Sequence, residues 1–349
     1  MNLRELAKHL GLSQTTVSRA LNGYPEVAEE TRLRVLAAAE RHNYRPNTRA
    51  KSLATGRSMT IAHVIPISDR HEMVNPVFAD FIAGASEAYL PRGYDISLTV
   101  VSDSGQEQLY RDIAARRSAD GVIVHAPKSR DPRIALLSEL KLPFVVHGRS
   151  SEIDAPYSWV DVDNKRSFRR AAEFLADLGH RRIALINGLE TMDFAVRRRA
   201  GFTEGLKARG IGIDPALMRS DEMTEGYGFE AARELLALKD PPTAFVTAST
   251  ISAFGIRRAV EGAGLRMGRD ISLITHDDDL SYFRNGGETA IFTALRSSVR
   301  EAGRIAAATL IELIETPGKL SQTMLNTDFI VGESTGPRIR VPEQAGQPG

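Results

Sequence analysis

The chain has 349 residues, no cysteine, and 45 Lys/Arg against 44 Asp/Glu. That length exceeds one small core and points to two or three domains, and the lack of cysteine excludes disulfides and thiolate metal sites. No apolar run approaches the roughly 20 residues that span a bilayer, and the opening Met1–Leu6 lacks the apolar stretch of a secretory signal, so a cytoplasmic chain with no membrane partner is expected. The near-zero net charge hides an asymmetry. Residues 1–57 carry ten Lys/Arg against five Glu, a surplus of five positive charges, while the remainder is net −4. A basic head on a mildly acidic body suits an anionic partner for the head alone, although a solvated charged surface gives the same count.

In the head, Leu3, Leu6, Ala7 and Leu10 repeat at the spacing of one helix face. Gly11 allows a left-handed helix end, and Ser13 is placed as the N-cap of a second helix from about Gln14 to Leu21, with Val17, Ala20 and Leu21 inward. Asn22-Gly23-Tyr24-Pro25 ends it. A third helix, with Thr31 near its start, carries Leu33, Leu36, Ala37 and Ala39 and ends near Asn43-Tyr44-Arg45-Pro46. Two short helices joined by a Gly-containing turn form a helix-turn-helix, whose second helix offers its first residues to base edges. Those residues are Gln14, Thr15 and Thr16, with Ser18 and Arg19 one turn on. Gln pairs with adenine, Arg with guanine, and Thr offers a methyl or a hydroxyl. A helical hairpin with an ordinary polar face has the same spacing.

The run Leu3-Arg4-Glu5-Leu6-Ala7 and the run from Gly11 to Asn22 resemble the head of the LacI/GalR repressor family. So do Val27, Thr31-Arg32 and Asn43-Tyr44-Arg45-Pro46-Asn47. The likeness is ungapped over nearly sixty residues. It implies a homodimer reading double-stranded, near-palindromic operator DNA, with Gln14, Thr15 and Arg19 on bases and Asn22, Thr31 and Asn47 on phosphates. The segment 47–57 has helix formers but little apolar surface, so an isolated helix there is marginal. The resemblance implies a hinge helix that pairs with its dimer mate and wedges Leu53 into the minor groove. A flexible tether is the alternative.

From Thr60 onward, short apolar runs alternate with amphipathic stretches. Strands are expected at Ile61–Ile65, Ile96–Val101, Gly121–His125, Phe144–His147, Trp159–Val162, Ile183–Asn187, Ala244–Thr247 and Ile271–Thr275. Helices are expected near 77–90, 105–118, 164–178, 197–209, 226–238, 250–263 and 298–315. Such alternation indicates an α/β fold, with parallel sheets covered by helices and ligands beyond the carboxyl ends of the strands. The resemblance implies a periplasmic-binding-protein-like body of two lobes within residues 60–340. Lobe 1 takes about 60–160 and 292–320, and lobe 2 about 161–291 and 321–340. The head is 1–46, and 341–349 reads as a disordered tail.

The resemblance also implies a small carbohydrate effector in the cleft. Sugars need planar polar groups for hydroxyls and apolar surface for ring faces. Arg198 lies at the family's effector-binding arginine, with its register open by one within Arg197-Arg198-Arg199. Asp277 matches the family's strand-end aspartate, although Asp277-Asp278-Asp279 also reads as a polar loop. Phe78, in Asn75-Pro76-Val77-Phe78, either stacks on a ring or anchors a core. Trp159 reads as core. Two departures stand out: Ser249-Thr250 replaces the Asn-Asp of many members, and Gly148 replaces an aspartate. Ser249, His147 and Arg149 are then the alternative polar contacts.

The resemblance implies a repressor of a carbohydrate uptake or catabolism operon that a sugar releases from DNA, with a co-repressor as the alternative. The head's Gly11–Val27 run resembles repressors of α-glucoside uptake. A solute-binding protein without DNA function leaves the head without a purpose. An enzyme lacks support, because there is no phosphate loop, no nucleophile elbow and no zinc-protease motif. No cofactor and no metal are expected.

Overall fold

The computed structural model describes residues 1–21, 23–44, 56–67 and 76–338. It divides into two units, Met1–Met59 and Thr60–Gly349. The 47–55 part of the expected hinge, and the tail, lie outside the described residues.

The first unit holds α1 (Leu3–Leu10), α2 (Gln14–Leu21) and α3 (Glu29–Arg41). Asn2 caps α1 in a reciprocal box with Glu5, and Gly11 ends it at φ +66°. Only a residue without Cβ takes that left-handed turn freely, which is why the helix stops there. Ser13 caps α2 by accepting from the Thr16 backbone N–H at 3.0 Å. Leu6, Ala7, Val17, Ala20, Val35 and Ala38 close a small core. Of the apolar residues expected on α3, Ala39 is buried, whereas Leu33 and Leu36 are exposed. The inward stripe of α3 runs instead through Val35, Ala38 and Ala39.

The second unit runs β1 (Thr60–Ile67), α4 (Pro76–Tyr89), β2 (Asp95–Ser102), α5 (Gln106–Arg116), β3 (Gly121–His125), α6 (Pro132–Glu139), β4 (Phe144–His147) and β5 (Ser158–Val162). It continues α7 (Asn164–Asp177), β6 (Ile183–Asn187), α8 (Asp193–Ala208), β7 (Met218–Ser220), α9 (Glu225–Leu236), β8 (Ala244–Thr247), α10 (Thr250–Gly262), β9 (Ser272–Asp277), β10 (Thr293–Arg296), α11 (Val299–Glu315), β11 (Gln322–Leu325) and β12 (Asp328–Ile330). The strands form two six-stranded sheets, ordered β11-β5-β4-β3-β1-β2 and β12-β10-β9-β8-β6-β7. All pairs are parallel except β10 with β12 at one edge.

Each sheet builds its own lobe. Strand β3 is buried at every position, and its Gly121–Val124 run is the continuous apolar stretch that a doubly covered parallel strand requires. The expected lobe boundaries shift at the later crossings. Strand β10, expected in lobe 1, joins the second sheet, and β11, expected in lobe 2, joins the first. Each crossing falls where a strand has finished pairing, near residues 163, 297 and 326. Asp163 N–H donates to Leu325 O at 3.0 Å, and the Ser167 and Thr327 hydroxyls meet at 2.7 Å, so two of the crossings are bonded together. Helix α6 and strands β7, β10, β11 and β12 were not expected from the sequence. Asp131 and Pro132, a cap followed by an N1 proline, were the available signal for α6.

Helices pack in close pairs. A Cβ placed on Gly303 of α11 would lie 2.1 Å from Phe81 O of α4, and one on Gly84 would lie 1.8 Å from Arg300 O. The absent side chains let the two backbones touch, which sets α4 and hence Phe78 and Phe81 at the cleft. Among the described residues no helix is long and apolar enough to cross a membrane, and no group of three His, Cys, Asp or Glu could hold a metal ion.

Candidate functional site

In the head, Gln14, Thr15 and Arg19 are exposed, while Thr16, Ser18 and Thr31 are half-buried. The Thr16 hydroxyl sits 2.8 Å from the Ser13 hydroxyl, so Thr16 is part of the α2 cap. Arg34 donates to Leu10 O at 2.8 Å and ties α3 to the end of α1. Asn22, Asn47 and Leu53 lie outside the described residues.

In the body, a cavity of about 190 Å³ lies where the carboxyl ends of β3, β4, β5 and β9 face one another. Its polar side is a continuous arc. Arg149 Nε donates to Asp161 Oδ2 at 2.8 Å, and Asn164 Nδ2 donates to Asp161 Oδ1 at 3.3 Å. Arg198 Nε donates to Asn164 Oδ1 at 2.7 Å, and its Nη1 to Ala248 O at 2.7 Å. The Arg198 guanidinium is held between Phe168 and Phe194, 5.1 and 4.9 Å from their ring centres. Burial lowers its pKa to about 10, with Asp278 and Asp161 working the other way, so it stays a cation at neutral pH. The arc runs from lobe 1 through the first crossing into lobe 2.

The opposite side is apolar and aromatic. Phe78 lies 4.4 Å from the His125 ring, and Phe81 lies 4.4 Å from the His147 ring. Burial lowers the pKa of His147 to about 4 and that of His125 well below the usual range, so both rings are neutral at pH 7. Behind them, His63 bridges His125 Nε2 and the Tyr89 hydroxyl, each at 3.2 Å. Arg133, paired with Asp131 at 2.6 Å, donates to His125 O at 3.0 Å and braces this turn.

Four of the six expected ligand residues line the cavity: Phe78, His147, Arg149 and Arg198. Two do not. Asp277 turns away to Arg296 Nε at 3.2 Å, and Asp278 takes its expected place. Side chains at a strand end alternate, so His276 and Asp278 share the cavity face while Asp277 takes the other. Ser249 is buried as the N-cap of α10, accepting from Ile251 N–H at 3.1 Å, and its neighbour Ala248 lines the cavity instead. Trp159 packs at the edge of the lobe 1 core, beneath the Arg149 guanidinium.

The Asp278 carboxyl is pushed up by burial, but His276, Arg198 and His147 more than offset this and hold it below the usual range. Its Oδ1 lies 3.2 Å from His276 Nε2. Burial lowers the His276 pKa, so the neutral ring donates from Nε2, and its buried Nδ1 is left without a partner. Sequence reasoning missed Asp161, Asn164, His276 and Asp278. The only local signal was their placement at strand ends and at the strand-to-helix turn after β5.

Residues 2–47 match the family described as "Bacterial regulatory proteins, lacI family", and residues 172–335 match the "Periplasmic binding protein-like domain". The HTH-type transcriptional regulator AglR of Rhizobium meliloti (strain 1021) is 43% identical over 97% of this chain and 95% of its own length. RafR of Escherichia coli, also an HTH-type transcriptional regulator, is 34% identical over 79% of this chain and 82% of its own. The transcriptional regulator CelR–cellobiose complex superposes with a TM-score of 0.71 at 29% identity, covering 96% of this chain and 99% of that one. The Lac repressor dimer bound to operator and the anti-inducer ONPF gives 0.82 at 24% identity over 96% and 99%, which speaks to fold.

Proposed function

The chain belongs to the LacI family of bacterial regulatory proteins, and on that premise we propose that it represses a carbohydrate operon and is released from its operator by a small sugar bound between its lobes. Its relatives are transcriptional regulators, not enzymes. The observation that carries the proposal is the cavity itself. Arg149, Asp161, Arg198 and Asp278 converge on hydroxyl-binding geometry opposite the Phe78 ring and the neutral His147. Planar polar groups on one side and ring-sized apolar surface on the other suit a sugar. A structural relative holds cellobiose, and the head's wording resembles α-glucoside repressors, so an α-glucoside is the first effector to try.

The head docks α2 in the major groove of each half-site, with Gln14, Thr15 and Arg19 on bases and Thr16 and Ser18 beside them. Thr31, with Asn22 and Asn47, takes phosphates, and Leu53 kinks the centre as a wedge. A homodimer supplies two heads, and the chromosome places the protein in the cytoplasm. Ser249 and Asp277 do not line the cavity and make no ligand contact in this reading. Effector binding alters the seating of the lobes, and DNA affinity shifts only by the effector's differential affinity for the two states.

Fluorescence anisotropy with DNA from the gene's own promoter tests this. Low-salt binding should weaken steeply as salt rises and be lost on adding the effector. A sugar that strengthens binding instead points to a co-repressor. No binding at low salt, with or without sugars, leaves a solute-binding protein and sinks the regulator reading.

A further inference from the structure

The Arg149–Asp161 pair is built into the cavity rather than laid over it. Gly148 precedes Arg149 at φ +105°, and a Cβ there would come within 2.9 Å of Pro127 Cδ. A side chain at that position, aspartate included, would need both a strained backbone and a shift of the Pro127 ring. The polar group that this wall of lobe 1 offers is therefore the next residue, Arg149, a cation in a confined space. Arg149 is half-buried, and a cation partly withdrawn from water gains from a partner. Asp161, 5% exposed on β5, supplies it. The pair is asymmetric in what it leaves open. Arg149 uses Nε, so its two terminal amino groups remain for a ligand, while Asp161 still has lone pairs facing the cavity.

Among the described residues lining the cavity, the ionic side chains are two arginines and two aspartates. The cavity histidines stay neutral because burial disfavours their charged forms. Burial raises the Asp161 pKa and the Arg149 guanidinium opposes this, so with Asp161 held as the carboxylate of that ion pair the charges balance. An incoming carboxylate or phosphate finds the Arg149 guanidinium already paired with Asp161 and Arg198 within the field of Asp278 and Asp161, and must sit near Asp161 with little water to screen the repulsion. An uncharged diol meets no such barrier, since one hydroxyl donates to Asp161 while its neighbour accepts from Arg149.

We infer that Asp161, held in place by Arg149, is the specificity-determining residue that makes this cavity select an uncharged polyhydroxylated ring and reject acidic and phosphorylated sugars. The inference rests on the effector-site reading above and adds the repulsive element on which discrimination depends.

The test is calorimetry on the full chain with matched panels: neutral glucosides and galactosides, the corresponding uronates and the 6-phosphates. Wild type should bind a neutral sugar at least about tenfold more tightly than its charged counterparts. Asp161→Asn, which keeps size and planarity, removes the repulsion and leaves Arg149 unneutralised. It should narrow that ratio about tenfold, with most of the change appearing as gained affinity for the uronate or phosphate. Arg149→Gln should weaken the neutral sugar while leaving the anions excluded.

A wild type that binds a uronate or phosphate as tightly as the neutral sugar overturns the inference and leaves the effector site standing. So does an Asp161→Asn protein that folds, binds and keeps the wild-type ratio. If Asp161→Asn fails to fold, the wild-type comparison alone decides. A wild type that binds none of the panel, or binds a sugar unaffected by Arg198→Lys, overturns the effector-site reading itself.

Discussion

Ser281 gives both its backbone N–H, at 2.8 Å, and its hydroxyl, at 2.7 Å, to the Asp80 carboxylate. Asp80 belongs to α4 of lobe 1, and Ser281 follows β9 of lobe 2. A second clasp reverses the roles. Ser151 of lobe 1 gives its N–H, at 3.1 Å, and its hydroxyl to Asp193 of lobe 2, which also pairs with Arg197. Both aspartates are buried, at 4% and 0% exposure. Asp80 lies two residues from the cavity-lining Phe78, and Ser281 three from Asp278, so the clasps and the cavity share their supports.

Removing both hydroxyls, as Ser151→Ala with Ser281→Ala, should loosen the seating of the lobes. A hydrogen bond to a charged group is worth about 1.5–3 kcal/mol. Effector affinity should fall by at least about tenfold, and small-angle scattering of the sugar-bound protein should show a larger radius of gyration. Unchanged affinity in a folded double variant would mean the clasps do not govern closure.

Arg198 acts through its planar fork, with one arm on Asn164 and another on Ala248 O. Lysine keeps the charge and loses the fork. Arg198→Lys should therefore weaken effector binding by roughly 10- to 100-fold, the worth of one charged hydrogen bond, while DNA binding persists and becomes insensitive to the sugar. Calorimetry and anisotropy on the same sample separate the two effects.

His63, buried, and His147, half-buried at the cavity wall, predict an acid-sensitive body. His63 and His147 have folded pKa values of about 4, below the ordinary 6.5, through burial. Between those values the unfolded chain binds protons that the folded chain refuses. Stability is then fully present above about pH 6.5 and declines as pH falls toward 4, by up to about 1.4 kcal/mol per pH unit for each histidine. Urea midpoints at pH 7, 6, 5 and 4.5 should drop progressively, and replacing His63 with Gln should flatten the decline.

Gly303→Ala places a methyl against Phe81 O, a backbone atom that cannot swing aside. Overpacking of this kind costs about 1–3 kcal/mol, and by displacing Phe81 and Phe78 it should also weaken the effector. Gly262→Ala is the control, since nothing lies within 4 Å of a Cβ there. It should be neutral or stabilising by up to about 1 kcal/mol. Equal effects in urea unfolding would show that the α4–α11 backbones do not touch at Gly303.

In the head, Arg19→Ala should cost about 1–3 kcal/mol of operator affinity and relax preference at one base pair per half-site. Thr31→Ala should weaken all sequences alike. An Arg19→Ala protein with uniform loss across operator variants would move Arg19 from bases to phosphates.

The helix-turn-helix was legible in the linear chain because its signals are local. Gly11 must adopt φ +66°, Ser13 must cap three residues ahead, and the α1 and α2 apolar positions recur at helical spacing. The α/β alternation was legible for the same reason, since Gly121–His125 and Ile183–Asn187 declare themselves as apolar runs bounded by polar turns. Arg198 was expected at the cleft from a resemblance and His147 from local polarity, and both line the cavity. Tertiary structure decided what no window could contain. The pleat chose Asp278 over Asp277, the α10 cap consumed Ser249, and the crossing after β5 brought Asn164 to Arg198, 34 residues away. Pro127 crowds the Gly148 position, and the neighbouring Arg149 pairs with Asp161, 12 residues away. Propensity and periodicity act over a few residues, whereas a cleft is made by strand ends that are distant in sequence and adjacent only once two sheets have formed. The chain alone therefore determined a helix-turn-helix head on an α/β body, and the fold determined which side chains line the cavity.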